Sequence, residues 1–209
     1  EEYRAMLEAP DSDSDRAQRM GELAVQLRER LEAEPDNPEG WAMLGRTYMR
    51  IEQYDDAIYA YRRLAELDRG TAEDRANAWG LAAQAAFFAN QGEMTGEVSS
   101  IIEKARELNP DEVNALGLLG IHAFSQENFR EAIGHWQRIV EVAPEHPQLA
   151  SIKEGLRAAY SRLGEEPPEE LQASADGEVI VRVELDERFA GDVPDDAVVF
   201  VFARQAGTE

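Results

Sequence analysis

Two stretches of this chain, Asn37 to Leu67 and Glu112 to Pro144, carry the same spacing of large, small and aromatic residues. That recurrence constrains the fold more than any other feature. Superimposed, Trp41 falls on Leu116, Leu44 on Leu119, Gly45 on Gly120 and Tyr48 on Ala123. Further along, Ala57 falls on Ala132, Tyr61 on Trp136 and Leu64 on Ile139. Each stretch reads as two helices joined by a turn. The glycine on the first helix and the alanine on the second let the pair approach closely, and the large residues fill the space to the next hairpin. A looser copy lies between them, with Trp79, Ala82-Ala83 and Ala86 on its first helix and Val98, Ile102 and Ala105 on its second. It fits only if about three extra residues sit in the turn around Asn90-Gln91-Gly92-Glu93-Met94, and the connector Asp68–Arg75 is also long for a strict repeat. Insertions at loops leave a stacked core intact, so the repeat reading survives them.

The pattern is that of the tetratricopeptide (TPR) repeat, whose period is about 34 residues. The expected fold is mainly α: a TPR superhelix of three repeats with flanking capping helices, followed by a small partial β segment. Repeat helices are expected near 38–51 and 54–67, 73–90 and 95–108, 111–125 and 128–142. Before them, Met20, Leu23, Ala24, Leu27 and Leu31 recur at helical spacing, which predicts an N-terminal cap from Ser14. After them, Leu149, Ile152, Leu156, Tyr160 and Leu163 predict a C-terminal cap ended by Gly164. The chain therefore divides into a flexible lead-in at 1–13, the solenoid with its caps at 14–163, a linker at 164–176 and a β-strand segment at 177–209. In the last, GEVIVRVEL and AVVFVFAR alternate with a period of two. Two strands alone rarely hold together in water, so this segment is expected to be a truncated small β domain.

The net charge is −22, from 43 acidic and 21 basic residues. Such a surface repels nucleic acid and anionic membrane, which argues against either as a partner. It suits solubility, or attraction to a basic partner. No cysteine is present, which excludes disulfides, zinc–thiolate sites and cysteine nucleophiles. His122, His135 and His146 have no metal-site spacing, and no nucleophile elbow, P-loop or dinucleotide turn occurs. The expectation is a protein that is not an enzyme and needs no cofactor. The chain starts at Glu1 without Met, which reads as a fragment or a mature form.

Beyond the repeat positions, the chain resembles the periplasmic TPR apocytochrome c chaperone of c-type cytochrome biogenesis, the CcmI/CycH type, and its nitrite-reductase haem lyase relative. The residues that carry the resemblance are GWAMLGRTYM (Gly40–Met49), QGEMT (Gln91–Thr95), ARELNPDEVNALGLLGIHAF (Ala105–Phe124), NFREAIGHWQRIV (Asn128–Val140) and VPDDAVVFVFARQAG (Val193–Gly207). The resemblance implies a non-catalytic module that binds apocytochrome c by its C-terminal helix and presents it for covalent haem attachment. It implies partners among the haem lyase components and a place on the periplasmic side of the bacterial inner membrane. Any membrane anchor would lie in a segment absent from this chain. Two other readings remain open: a generic TPR scaffold in an envelope assembly or secretion complex, and a regulatory domain of a larger enzyme.

The first helix of each TPR hairpin lines a groove suited to a peptide or amphipathic helix. In the first repeat the residues left over by packing include Ala42, Arg46, Met49 and Arg50; in the second, Asn77, Gln84, Phe87 and Phe88; in the third, Asn114, Gly117, Ile121 and Phe124. The expected site is an apolar patch of Phe87, Phe88, Ile121 and Phe124, rimmed by amides and by two arginines. The alternative is that two of these aromatics pack inside the superhelix. Arg46 and Arg50, one turn apart, either hold a peptide carboxylate or pair on the surface with Glu52 or Asp55. The carboxylate clamp of cytosolic co-chaperones is not expected, because Ala42, Gly80, Gly117 and Ile121 occupy much of its pattern.

Overall fold

The computed structural model describes residues 13–172. These hold eight helices: α1 (Asp13–Ala33), α2 (Pro38–Arg50), α3 (Tyr54–Glu66), α4 (Ala72–Ala89), α5 (Gly96–Leu108), α6 (Val113–Ser125), α7 (Phe129–Val142) and α8 (Leu149–Leu163). No strand occurs among the described residues. The strands expected within 177–209, and residues 1–12 of the lead-in, lie outside them. The chain divides after Pro167 into two units, and all eight helices belong to the first. Of the second only residues 168–172 are described, a turn in which Leu171 N donates to Pro168 O at 2.8 Å.

The hairpins α2–α3, α4–α5 and α6–α7 form because the repeat positions are the buried ones. Trp41, Leu44, Ala57, Val98, Ala105, Ala132 and Ile139 are wholly buried, and Tyr48, Tyr61, Ile102, Leu116 and Ala123 nearly so. The glycines set how closely each pair packs. A Cβ on Gly45 would come within 2.5 Å of the Tyr61 ring, and one on Gly120 would enter the indole of Trp136. The two repeats thus use one device at one position, with a different aromatic.

Caps mark where the helices start. The Asn37 side chain accepts from Gly40 N at 2.8 Å and the Thr95 hydroxyl from Val98 N at 3.3 Å. Thr71 and Asp74 form a reciprocal capping box, each satisfying the other's backbone N–H. That box corrects the expected connector. Only Asp68 to Thr71 is loop, and the rest of the insertion becomes an added turn on α4, which runs 18 residues against 13 for α2 and α6. The three hairpin turns are closed alike, by Gln53 N to Tyr48 O, Gly92 N to Phe87 O and Asn128 N to Ala123 O, each at 2.9 Å. In each, the residue before the donor is a non-glycine at positive φ: Glu52 at 58°, Gln91 at 55° and Glu127 at 60°. At the far end Gly164 takes the left-handed conformation expected of it, with Glu165 N returning to Tyr160 O at 3.0 Å.

Helix α4 is the centre of the stack. Nine of its residues are buried, including Ala76, Trp79, Ala83 and Phe87, on every side but the one that carries Asn77, Leu81, Gln84 and Phe88. It packs on α3 before it, on its own partner α5 and on α6 after it, whereas α5 touches α6 only marginally. Helices α1 and α8 close the two ends, against α2 and α7 respectively.

Candidate peptide groove

Three recesses along the first helices of the hairpins are joined through shared residues. One, of about 480 Å³, lies between Pro38, Glu39 and Ala42 of α2 and Asp74, Arg75 and Asn77 of α4, with Leu64, Arg69 and Gly70 behind. A second, of about 810 Å³, runs from Asn77 to Glu112, Val113 and Asn114 and reaches His146. A third, of about 260 Å³, is floored by Asn114, Gly117, Leu118, Ile121, Trp136 and Ile139, with Gln84 on one side and Gln148, Ser151 and Ile152 on the other. Asn77 belongs to the first two and Asn114 to the last two. The Asn114 amide bridges the joint, donating to Asn77 Oδ1 at 3.4 Å.

Asn114 is held in place by Glu112. The Glu112 carboxylate caps α6, accepting from Asn114 N at 3.1 Å and Ala115 N at 2.7 Å, and also accepts from Asn114 Nδ2 at 2.8 Å. With both amide hydrogens of Asn114 directed at Glu112 and Asn77, its Oδ1 remains for an N–H of a guest. The carboxylate is 4% exposed and lies against the Cα of Gly80, where any side chain would collide with it. Burial pushes the Glu112 carboxyl above its ordinary value, and the N–H donors only partly offset that.

Asn77, Gln84, Asn114, Gly117 and Ile121 therefore line the groove, and Ile121 is 46% exposed. The apolar patch expected to unite four residues is divided. Phe87 is 8% exposed and lies beneath the turn at Gly92. Phe88 is open to solvent beside Tyr54, ring centroids 5.7 Å apart. Phe124 is half-buried against Phe129 at 5.2 Å and Trp136 at 5.8 Å. The physical reason is register: Phe87 continues the buried Ala76, Gly80 and Ala83 face of α4, whereas Phe88 continues the open face of Asn77, Leu81 and Gln84. Met49 packs on the core. Arg46 and Arg50 are exposed, and neither makes an ion pair among the described residues, with Glu52, Asp55 or any other carboxylate. Arg75, Gln148, Ser151 and Ile152 escaped the sequence reading: Arg75 stood in what read as a connector, and the other three before or on a helix read only as a cap.

The family model described as the cytochrome c-type biogenesis protein H TPR domain matches residues 1–149. The chain belongs to this family. Cytochrome c-type biogenesis protein CycH of Pseudomonas aeruginosa is 38% identical over 193 residues, covering 90% of this chain and 46% of that protein. The formate-dependent nitrite reductase complex subunit NrfG of Escherichia coli O157:H7 is 30% identical over 133 residues, covering 64% of this chain and 65% of NrfG. This chain spans about half the length of the CycH protein it matches. A crystal structure of MamA superimposes with a TM-score of 0.51 at 23% identity, covering 74% of this chain and 86% of MamA, which shows the helical-repeat fold. No helix among the described residues is long and apolar enough to cross a membrane, and no cluster among them could hold a metal ion.

Proposed function

We propose that this chain is a non-catalytic chaperone module that binds apocytochrome c by its C-terminal helix and presents it to the haem lyase components on the periplasmic side of the inner membrane. The observation that carries the reading is the joined groove from Pro38 to Ile152, mainly apolar between α6 and α8 and edged by amides. An amphipathic helix fits such a surface by laying its apolar face on Ile121, Trp136 and Ile152 while polar atoms at its flank meet Gln84 and Asn114. Holo-cytochrome, in which that helix is packed in the native fold, offers no such face. The family supports the setting, and the acidic surface, with net charge −22, speeds encounter with a basic partner.

The experiment is a calorimetric titration of the chain with apocytochrome c, with holo-cytochrome c and with apocytochrome lacking its C-terminal helix. The expected result is binding of the first alone. Equal binding of the first and third would place recognition elsewhere on the apocytochrome and defeat the proposal.

A further inference from the structure

The first recess contains a cation with nothing to hold. Arg75 is half-buried between α2 and α4, and its Nε is shut off from solvent with no hydrogen-bond acceptor. No carboxylate lies within ion-pair distance of its guanidinium among the described residues. A buried polar group left unpaired in a folded protein calls for an explanation. The demand is sharper here, because acidic residues outnumber basic ones two to one and a spare carboxylate is never far in sequence. The neighbours that might have served are committed elsewhere. Asp74 is held at its Oδ2 by the Thr71 backbone and hydroxyl, at 2.7 and 2.8 Å, and makes no ion pair with Arg75, while Asp36 pairs with Arg69 at 2.5 Å. Glu39 lines the same recess but makes no ion pair with Arg75.

We infer that Arg75 is the anchor for a carboxylate of the bound peptide, in a subsite that begins at the recess between α2 and α4 and opens through Asn77 into the rest of the groove. A guanidinium presents a planar fork that a carboxylate can meet with two parallel hydrogen bonds. Its Nε is already shut off from solvent, so a carboxylate that reaches it forms a pair less screened there than one at Arg46 or Arg50, which are exposed. Asn77 stands beside it with an amide to share. The subsite rests on the groove being a peptide site. It adds direction to that reading, since a carboxylate fixed between α2 and α4 sets which way the guest runs toward Ile121.

The test uses the full chain and a synthetic peptide of an apocytochrome C-terminal helix in three forms: free carboxyl terminus, amidated terminus, and amidated with its acidic side chains changed to amides. The wild-type chain should bind the free acid about tenfold or more tightly than the third form. Arg75→Gln should remove that preference while binding the third form as wild type does, and Arg75→Lys should restore it in part. The second form assigns the carboxylate to the terminus or to a side chain. Thermal melting of each variant establishes that it is folded. A preference retained in Arg75→Gln, or equal binding of all three forms by the wild type, overturns the carboxylate assignment and leaves the groove standing. Absence of binding by every form overturns the groove and this subsite together.

Discussion

The Glu112 carboxylate lies against the Cα of Gly80, close enough that no side chain fits between them. Two successive first helices, α4 and α6, are thereby set by a contact between a buried acid and a missing Cβ. Gly80→Ala should force the carboxylate off its three N–H donors or push the helices apart. Overpacking of this kind costs about 1–3 kcal/mol. Urea denaturation of the variant should show that loss with helical content kept, and unchanged stability would mean that the carboxylate can move aside freely.

The same burial gives a pH dependence of defined sign. The folded-state value of Glu112 lies above the ordinary 4.5, so the folded chain takes up this proton more readily than the unfolded one. The stability this contributes is fully present below 4.5 and is lost as pH rises through the raised value. Glu112→Gln removes the titration and keeps an oxygen for the cap. The difference in unfolding free energy, wild type minus variant, should therefore fall as pH climbs from 4.5 and then level off. A difference that rises over that interval would show that the N–H donors outweigh desolvation.

The repeat register was legible because burial follows it at most positions: Trp41, Leu44, Tyr48, Ala57 and Tyr61 in one hairpin, Leu116, Ala123, Ala132, Trp136 and Ile139 in another, are nine-tenths or more buried, with Leu64 and Leu119 partly so. The groove residues were legible only where they sit on an amphipathic helix. Helix α4 is apolar on all but one face, so Phe87 and Phe88 read alike by residue type, and only the spacing from Asn77 and Gln84 marks Phe88 as the outward one. Glu112 was unreadable for another reason. A charged residue in a turn reads as solvated, and only the absence of a side chain on Gly80, far away in sequence, makes room for it to be buried.

The three hairpin turns hold Glu52, Gln91 and Glu127 in the left-handed region, where a side chain costs about 1–2 kcal/mol. All three are exposed, so their side chains contribute little packing in return. Glycine at each position should raise stability by about 0.5–1 kcal/mol, the relief of strain exceeding the added freedom of the unfolded chain. Thermal melting of the single and triple variants checks this, and a lowered midpoint would show that these side chains brace the turns.

For the groove itself, Ile121 and Ile152 should matter most, since both line the mainly apolar recess between α6 and α8 and Ile121 loses exposed apolar surface when a guest arrives. Each replaced by Ala should weaken apocytochrome binding by about tenfold or more. Phe88→Ala, beside Tyr54 and outside the recess, should leave affinity nearly unchanged. Arg46→Glu with Arg50→Glu should alter the salt dependence of the association rate more than the dissociation rate, as exposed charges do. The reverse ranking, with Phe88 dominant, would move the guest to the hairpin tips.

The connector that breaks the repeat period, Asp68 to Arg75, supplies Arg69, Gly70, Asp74 and Arg75 to a single recess. Helices α2 and α4 make at most marginal contact, whereas α4 and α6 pack on each other, so the inserted residues stand where α2 and α4 part. The irregular residues are thus the walls of a socket. The regular positions encode a helical-repeat scaffold, while on the proposed reading the choice of guest is written where the periodicity fails. On that reading, lengthening or shortening Asp68 to Thr71 alters the recess and leaves every repeat residue in place.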